Sequence, residues 1–371
     1  MLMILINNLI AKFLLITPPE IPEHKMRAYL KIVLSAILVL LTIVSCDEKK
    51  DDDSNPTNPT TSDNPFPNIK VVKRITGLNG GEAVEAINSA LYVGDLTGLS
   101  IYRISDPENP EFRKKIALTT VYDLYAKRYD NSTLNLFAGC GGNGLTIFEI
   151  HGNAYLDPIT KSFVAGGFYS DIESEGSRLY VASQLSRGVR VFNIANAYQP
   201  TMEFSIDQQA NSTGVAITNL GDLIVVDYDG KVKFYDTVIL PTVPATSQKI
   251  SINAKLLSVS TTDDWACIGA ESGVYFVQPV SSRQGFPAVR SSLLIGGDVH
   301  DSKIRYKQST NKYYAFLAAG NKDLVIVDVT DVSNPKIVKE LALEGNARSI
   351  VLYGNYAYIV GDSDLNVVKF E

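Results

Sequence analysis

One unit recurs seven times in this chain, and it leaves few folds open. Each copy is a turn residue followed by a β-branched and aromatic run, as in Gly98-Leu99-Ser100-Ile101-Tyr102-Arg103-Ile104, Gly144-Leu145-Thr146-Ile147-Phe148-Glu149-Ile150 and Gly188-Val189-Arg190-Val191-Phe192-Asn193-Ile194. The anchors Leu99, Leu145, Val189, Val232, Val274, Leu324 and Leu365 stand 46, 44, 43, 42, 50 and 41 residues apart. A second strand-like run precedes each anchor, such as Leu91-Tyr92-Val93-Gly94 or Ala357-Tyr358-Ile359-Val360, and an alternating run precedes that one. Period-2 alternation in Val, Ile, Tyr and Phe predicts strands. Four short strands in about 40–45 residues are the length of one propeller blade. No helical period intervenes, so a parallel βαβ sheet is excluded as the reading.

The ends of the array carry a further expectation. The last copy stops after its third strand. The segment before the first copy, Pro67-Asn68-Ile69-Lys70-Val71-Val72-Lys73-Arg74-Ile75, is similar to the fourth strand of the sixth copy, Asn334-Pro335-Lys336-Ile337-Val338-Lys339-Glu340-Leu341. An all-β, seven-bladed β-propeller over residues 67–371 follows, closed by an N-terminal strand that completes the last blade. Closure removes the open face that a broken ring would expose.

Leu324-Val325-Ile326-Val327-Asp328 with Val332-Ser333-Asn334-Pro335 resembles the LVIVD repeat of bacterial and archaeal surface β-propellers, and residues 101–110 resemble it a second time. The other five copies keep the period and lose the Asp-Pro-x-Asn-Pro loop. The resemblance implies a fold and a cell-surface location, with no reaction attached.

The first 66 residues read as addressing. Residues 32–45 carry no charge and are too short for the ~20-residue span of a bilayer. Behind Met26-Arg27 and Lys31 they fit the apolar region of a secretory signal, residues 26–45. The run ends Ile43-Val44-Ser45-Cys46, which resembles the lipobox of bacterial lipoproteins; the resemblance implies a lipidated Cys46 as the mature N-terminus. An ordinary signal anchor ending in an unmodified Cys is the alternative. Asp47 to Asp53 and the Pro-, Thr- and Asn-rich stretch after it make residues 46–66 a disordered tether. Its acidic run resembles the surface-export signal of Bacteroidetes lipoproteins. Residues 1–25 are expected to be an upstream extension absent from the mature protein, or else a membrane anchor. The expected location is the bacterial cell envelope, as an outer-membrane lipoprotein exposed at the surface and held to the membrane by its lipid.

The chemistry is less legible. A net charge of −6 argues against a nucleic-acid partner, because phosphate must be met by Lys and Arg. Three Cys and three scattered His support neither a disulfide framework nor a Cys/His metal centre. Cys140 and Cys267 fall on separate blades and read as reduced, buried thiols. Asp227-Tyr228-Asp229-Gly230 reads as a hairpin turn rather than a Ca²⁺ loop. Most of the 19 Tyr fall on strands and read as packing rather than as sugar platforms. No Gly-x-Ser-x-Gly is present. Aligning the starts of the innermost strands by eye places Glu85, Asp123, Asp171, Gly214, Lys255, Asp301 and Arg348 around the channel mouth, with His300 and Tyr122 one step away. This ring is the candidate ligand-binding site. Its carboxylates suit a cationic ligand or a divalent ion such as Ca²⁺; equally, they can pair with Lys255, Arg348 and backbone N–H groups as a structural plug. No catalytic residue is assigned. The reading is a binding or scaffold module for an extracellular protein, glycan or small ligand. The rival is a propeller hydrolase or lyase acting on glycans through the same mouth.

Overall fold

The computed structural model describes residues 65–370 apart from 131–132, 143, 152–153, 165–166, 186, 197–198, 239, 241–247, 263 and 279–284. Cys46, the signal segment, residues 1–25 and most of the tether lie outside the described residues.

After β1 (Lys70–Thr76), the first blade comprises β2 (Gly81–Ile87), β3 (Ala90–Asp95), β4 (Gly98–Arg103) and β5 (Glu111–Ala117). The second has β6 (Val121–Arg128), β7 (Thr133–Cys140), β8 (Leu145–His151) and β9 (Ile159–Val164). The third has β10 (Tyr169–Glu175), β11 (Arg178–Ser183), β12 (Gly188–Asn193) and β13 (Thr201–Ile206). The fourth has β14 (Ser212–Ile217), β15 (Asp222–Asp227), β16 (Lys231–Asp236) and β17 (Gln248–Ser251). The fifth has β18 (Leu256–Thr261), β19 (Ala266–Ala270), β20 (Gly273–Gln278) and β21 (Ala288–Leu294). The sixth has β22 (Asp301–Lys307), β23 (Lys312–Ala318), β24 (Leu324–Asp328) and β25 (Lys336–Leu341). The seventh has β26 (Ala347–Tyr353), β27 (Tyr356–Gly361) and β28 (Asp364–Lys369), and β1 is its fourth strand.

Each sheet is an antiparallel meander, and the inner strands neighbour one another in chain order until β26 meets β2. The strands differ because their surroundings do. β3 is buried at every position, since blades press on both its faces, whereas the outer strand β5 alternates and faces solvent. All seven anchors are buried to 1% exposure or less. The apolar side chains collect in seven clusters, one between each pair of adjacent blades. Tyr92, Tyr102, Tyr180 and Tyr358 are buried in them and Tyr275 packs against one, which accounts for these rings without a sugar. Cys140 and Cys267 are buried and free. The Asp227-Tyr228-Asp229-Gly230 turn links β15 to β16, with Gly230 at φ +87°.

Blades approach closely near the end of the second strand. A Cβ on Gly94 would lie 2.6 Å from Val121 of the next blade, and one on Gly269 would lie 2.3 Å from the Val299 carbonyl. Glycine there lets neighbouring inner strands close around the axis.

The ring closes as expected. β1 pairs with β28, with Lys73 opposite Val367 and Ile75 opposite Leu365. Arg74 of β1 donates to the buried Asp364 at 3.1 Å. A comparable clamp holds the outer strand of the first blade, Lys115 to Asp95 at 2.6 Å, and the buried Lys233 of β16 pairs with Asp227 of β15. In the closing blade the partners come from opposite ends of the chain. The packed body also begins earlier than expected. Phe66, assigned above to the tether, is 2% exposed and meets Tyr314, Phe316 and Phe370 edge-on or steeply tilted, with ring centroids 5.0, 5.5 and 6.0 Å away. Lys307, at the end of β22, covers the Phe66 ring and donates to the Pro65 carbonyl. The chain therefore enters the propeller on the face where the inner strands end.

Candidate functional site

The central channel holds a cavity of about 390 Å³. Its lining begins at the starts of the inner strands, on the face opposite the entry of residues 65–66. Pairing with the second strand defines which inner-strand positions are equivalent. Ala83, Asp123, Asp171, Gly214, Ser258, Asp301 and Ser349 each sit opposite the residue that pairs with, or stands beside, the blade's anchor. Two residues further along, Glu85, Tyr125, Glu173, Ala216, Ser260, Lys303 and Val351 form a second level.

The expected ring is thus partly right. Asp123, Asp171, Asp301 and Gly214 share the first level. Glu85 lines the cavity one level deeper. His300 and Arg348 stand at the rim, each one residue before the first level. Lys255 does not line the cavity: it precedes β18, is half exposed, and pairs with Glu271 at 2.8 Å. Lys255 stands three residues before Ser258, the first-level residue of its blade, and so falls outside β18. Six inner strands carry a register shift after their first residue, and β22 pairs without one.

The three first-level aspartates are staples between blades. Asp123 accepts the Ile172 N–H of the next blade at 2.8 Å, and Asp171 accepts the Val215 N–H at 2.8 Å. Asp301 accepts the Ile350 N–H at 2.9 Å and the Ser349 hydroxyl at 3.0 Å. Where a blade lacks the aspartate, hydroxyls take over: Thr213 donates to the Leu256 carbonyl at 2.9 Å and Ser258 to the Val299 carbonyl at 3.2 Å. Pairing with backbone N–H groups, one of the two readings of the acidic ring, is therefore present.

Sequence reasoning missed the residue that organises the charge. Lys303 reaches into the cavity and donates to Asp301 at 3.1 Å. Its side chain is 44% exposed because it lines the cavity rather than packing into a core. Burial pushes its pKa down, but Asp301, Asp123 and Glu85 outweigh that and hold it above the ordinary lysine value. The carboxylates outnumber it. Burial raises Glu85 to about 7 against the pull of Lys303. Burial likewise raises Asp171 to about 7 against the Val215 N–H and Lys303. Asp123 lies well above the usual carboxylate range through burial and the neighbouring Asp171. Burial also raises Glu173, a second residue missed, which accepts from the Ser174 N–H at 3.0 Å. At the rim, burial and Arg348 hold the His300 imidazole below the usual histidine range, which favours its neutral form. Counting two residues onward from Asp171 and Asp301 would have found Glu173 and Lys303, because side chains repeat faces every second residue.

Among the described residues no group of three or more His, Cys, Asp or Glu is placed to hold a metal ion. The divalent-ion expectation therefore has no coordination site here. The aspartates that prompted it face successive blades and spend their oxygens on backbone N–H groups.

Comparison with known families agrees with the architecture. The LVIVD repeat family matches residues 312–341 and 344–368, which are strands two to four of the sixth blade and nearly all of the seventh. The matched copies thus include the one at Leu324, while the second matched copy is the last blade rather than the first. No curated protein matches the chain. The chain is a seven-bladed β-propeller carrying LVIVD repeats, an architecture of binding and scaffold modules.

Proposed function

We propose that this protein is a surface-anchored lipoprotein, held by acyl chains on Cys46, whose propeller presents the channel cavity to the extracellular space as a ligand-binding site. The observation that carries the reading is the placement of the cavity. A polar chamber of about 390 Å³ is lined from the starts of the inner strands, at the end of the channel opposite to where Pro65 and Phe66 pack. A chamber of this size and polarity suits a small ligand. The uncharged run at residues 32–45, the Ile43-Val44-Ser45-Cys46 sequence and the acidic stretch behind it support the anchor. Metabolic labelling with an alkyne fatty acid tests it: wild type is expected to incorporate label and Cys46→Ala is not. Protease treatment of intact cells is expected to remove the propeller. Label retained in Cys46→Ala, or a propeller protected from protease, refutes the reading.

A second reading rests on one observation, the neighbouring of neutral His300, Arg348 and Asp301 at the rim. An enzyme acting on acidic glycans needs such a base beside a cation. Release of reducing ends or unsaturated products from uronate polysaccharides, lost in His300→Ala, would establish it; no turnover leaves the binding reading.

A further inference from the structure

The cavity is lopsided. Around the second level, the first, third and sixth blades contribute Glu85, Glu173 and Lys303, whereas the fourth and fifth contribute only Ala216 and Ser260. At the first level these two blades supply the small groups Gly214 and Ser258 between the aspartates of the third and sixth blades. Small side chains on two adjacent blades leave a niche between Glu173 on one side and Lys303 on the other. Its walls mix serine hydroxyls with the aliphatic Val215, Ala216 and Val259.

On the reading that this cavity is the ligand site, we propose that the niche takes a small organic ammonium ion, seated on the aliphatic wall of the fourth and fifth blades with its charged head toward Glu173 and Asp171. Three independent features select this class. The volume is an order of magnitude larger than the ~30 Å³ share of a single water, so a bare ion would rattle. The mixed lining offers apolar contact to a carbon chain, which a hydrated metal would not use, and no metal-holding group exists among the described residues. Lys303 is a primary ammonium already seated among these carboxylates, a built example of the chemistry the niche accepts. The carboxylates nevertheless exceed the resident cations, so a second ammonium finds unspent negative charge.

The sign of two substitutions makes the test specific. Isothermal titration of the purified full-length chain with 1,5-diaminopentane at low salt is expected to give one site. Glu173→Gln is expected to weaken it about tenfold or more, as loss of a charge-assisted hydrogen bond predicts. Lys303→Met is expected to tighten it, because the resident competitor is gone. Should Lys303→Met fail to fold, Asp171→Asn supplies a second weakening variant. Unchanged affinity in Glu173→Gln overturns the proposal. So does binding of succinate or a neutral sugar in place of the diamine, although the cavity then stands as a ligand site. Absence of heat and of thermal shift with all three probes removes the cavity reading itself.

Discussion

Phe66→Ala tests how the N-terminal segment is held. The ring is buried among Tyr314, Phe316 and Phe370 across the sixth and seventh blades, under the Lys307 ammonium. Removing a buried Phe side chain costs about 3–5 kcal/mol, transfer and cavity contributions together. A cavity of about 370 Å³ already adjoins the ring, so its neighbours are free to relax and the low end, about 3 kcal/mol, applies. A domain of about 300 residues unfolds with an entropy near 0.6 kcal/mol/K, from ~2.1 cal/mol/K per residue, so the expected drop in Tm is about 5 °C. Phe66→Leu, which keeps most of the apolar volume, should cost about 1 kcal/mol. Differential scanning calorimetry reads both, and limited trypsin digestion adds a local reading. With Phe66 gone, cleavage at Lys70, Lys73 and Arg74 should accelerate before the rest of the ring is cut, since β1 has lost its upstream anchor. A drop below 1.5 °C, or equal drops for Ala and Leu, refutes the view that this ring pins the segment.

Deleting residues 67–76 leaves β28 as an open edge and strips Asp364 of Arg74, so the melting temperature should fall far more than in Phe66→Ala; an unchanged melting curve would sink the closure. Asp301→Ala leaves the Ile350 N–H and Lys303 without their acceptor and should destabilise by about 2–3 kcal/mol in chemical denaturation, against a smaller loss in Asp301→Asn. Glu85 and Asp171 bind protons more tightly folded than unfolded, so their contribution is full below about pH 4 and is lost as pH rises toward 7. Glu85→Gln should accordingly gain stability relative to wild type between pH 5 and pH 8, and a pH-independent difference in Tm would contradict the assignment.

The closing strand was legible because its pairing is advertised by composition: the run around Lys70 to Ile75 carries the exposed-outer-strand pattern of Lys336 to Leu341, and only one blade lacks such a strand. Asp123, Asp171 and Asp301 were legible for the same reason, each standing where the inner strand begins. Lys255 was misplaced, and Lys303 was overlooked although it stands two residues beyond Asp301 on the same face. Which residue faces the axis depends on a bulge, and a bulge is a property of pairing with the neighbouring strand rather than of the run itself. Lys255 stands three residues before Ser258, the position that does share the first level, and pairs at the surface with Glu271. Phe66 escaped because a single aromatic in a Pro- and Asn-rich stretch has no periodicity to betray it.

The number of blades, the order of their strands and the meeting of the two ends were written in the residues themselves, since period-2 alternation and a repeat of about 43 residues are local properties of a chain. The contents of the channel were a property of seven strands brought together. Only the assembled ring sets Lys303 beside Asp301, gathers more carboxylates than it can neutralise, and leaves Ala216 and Ser260 next to each other as open space.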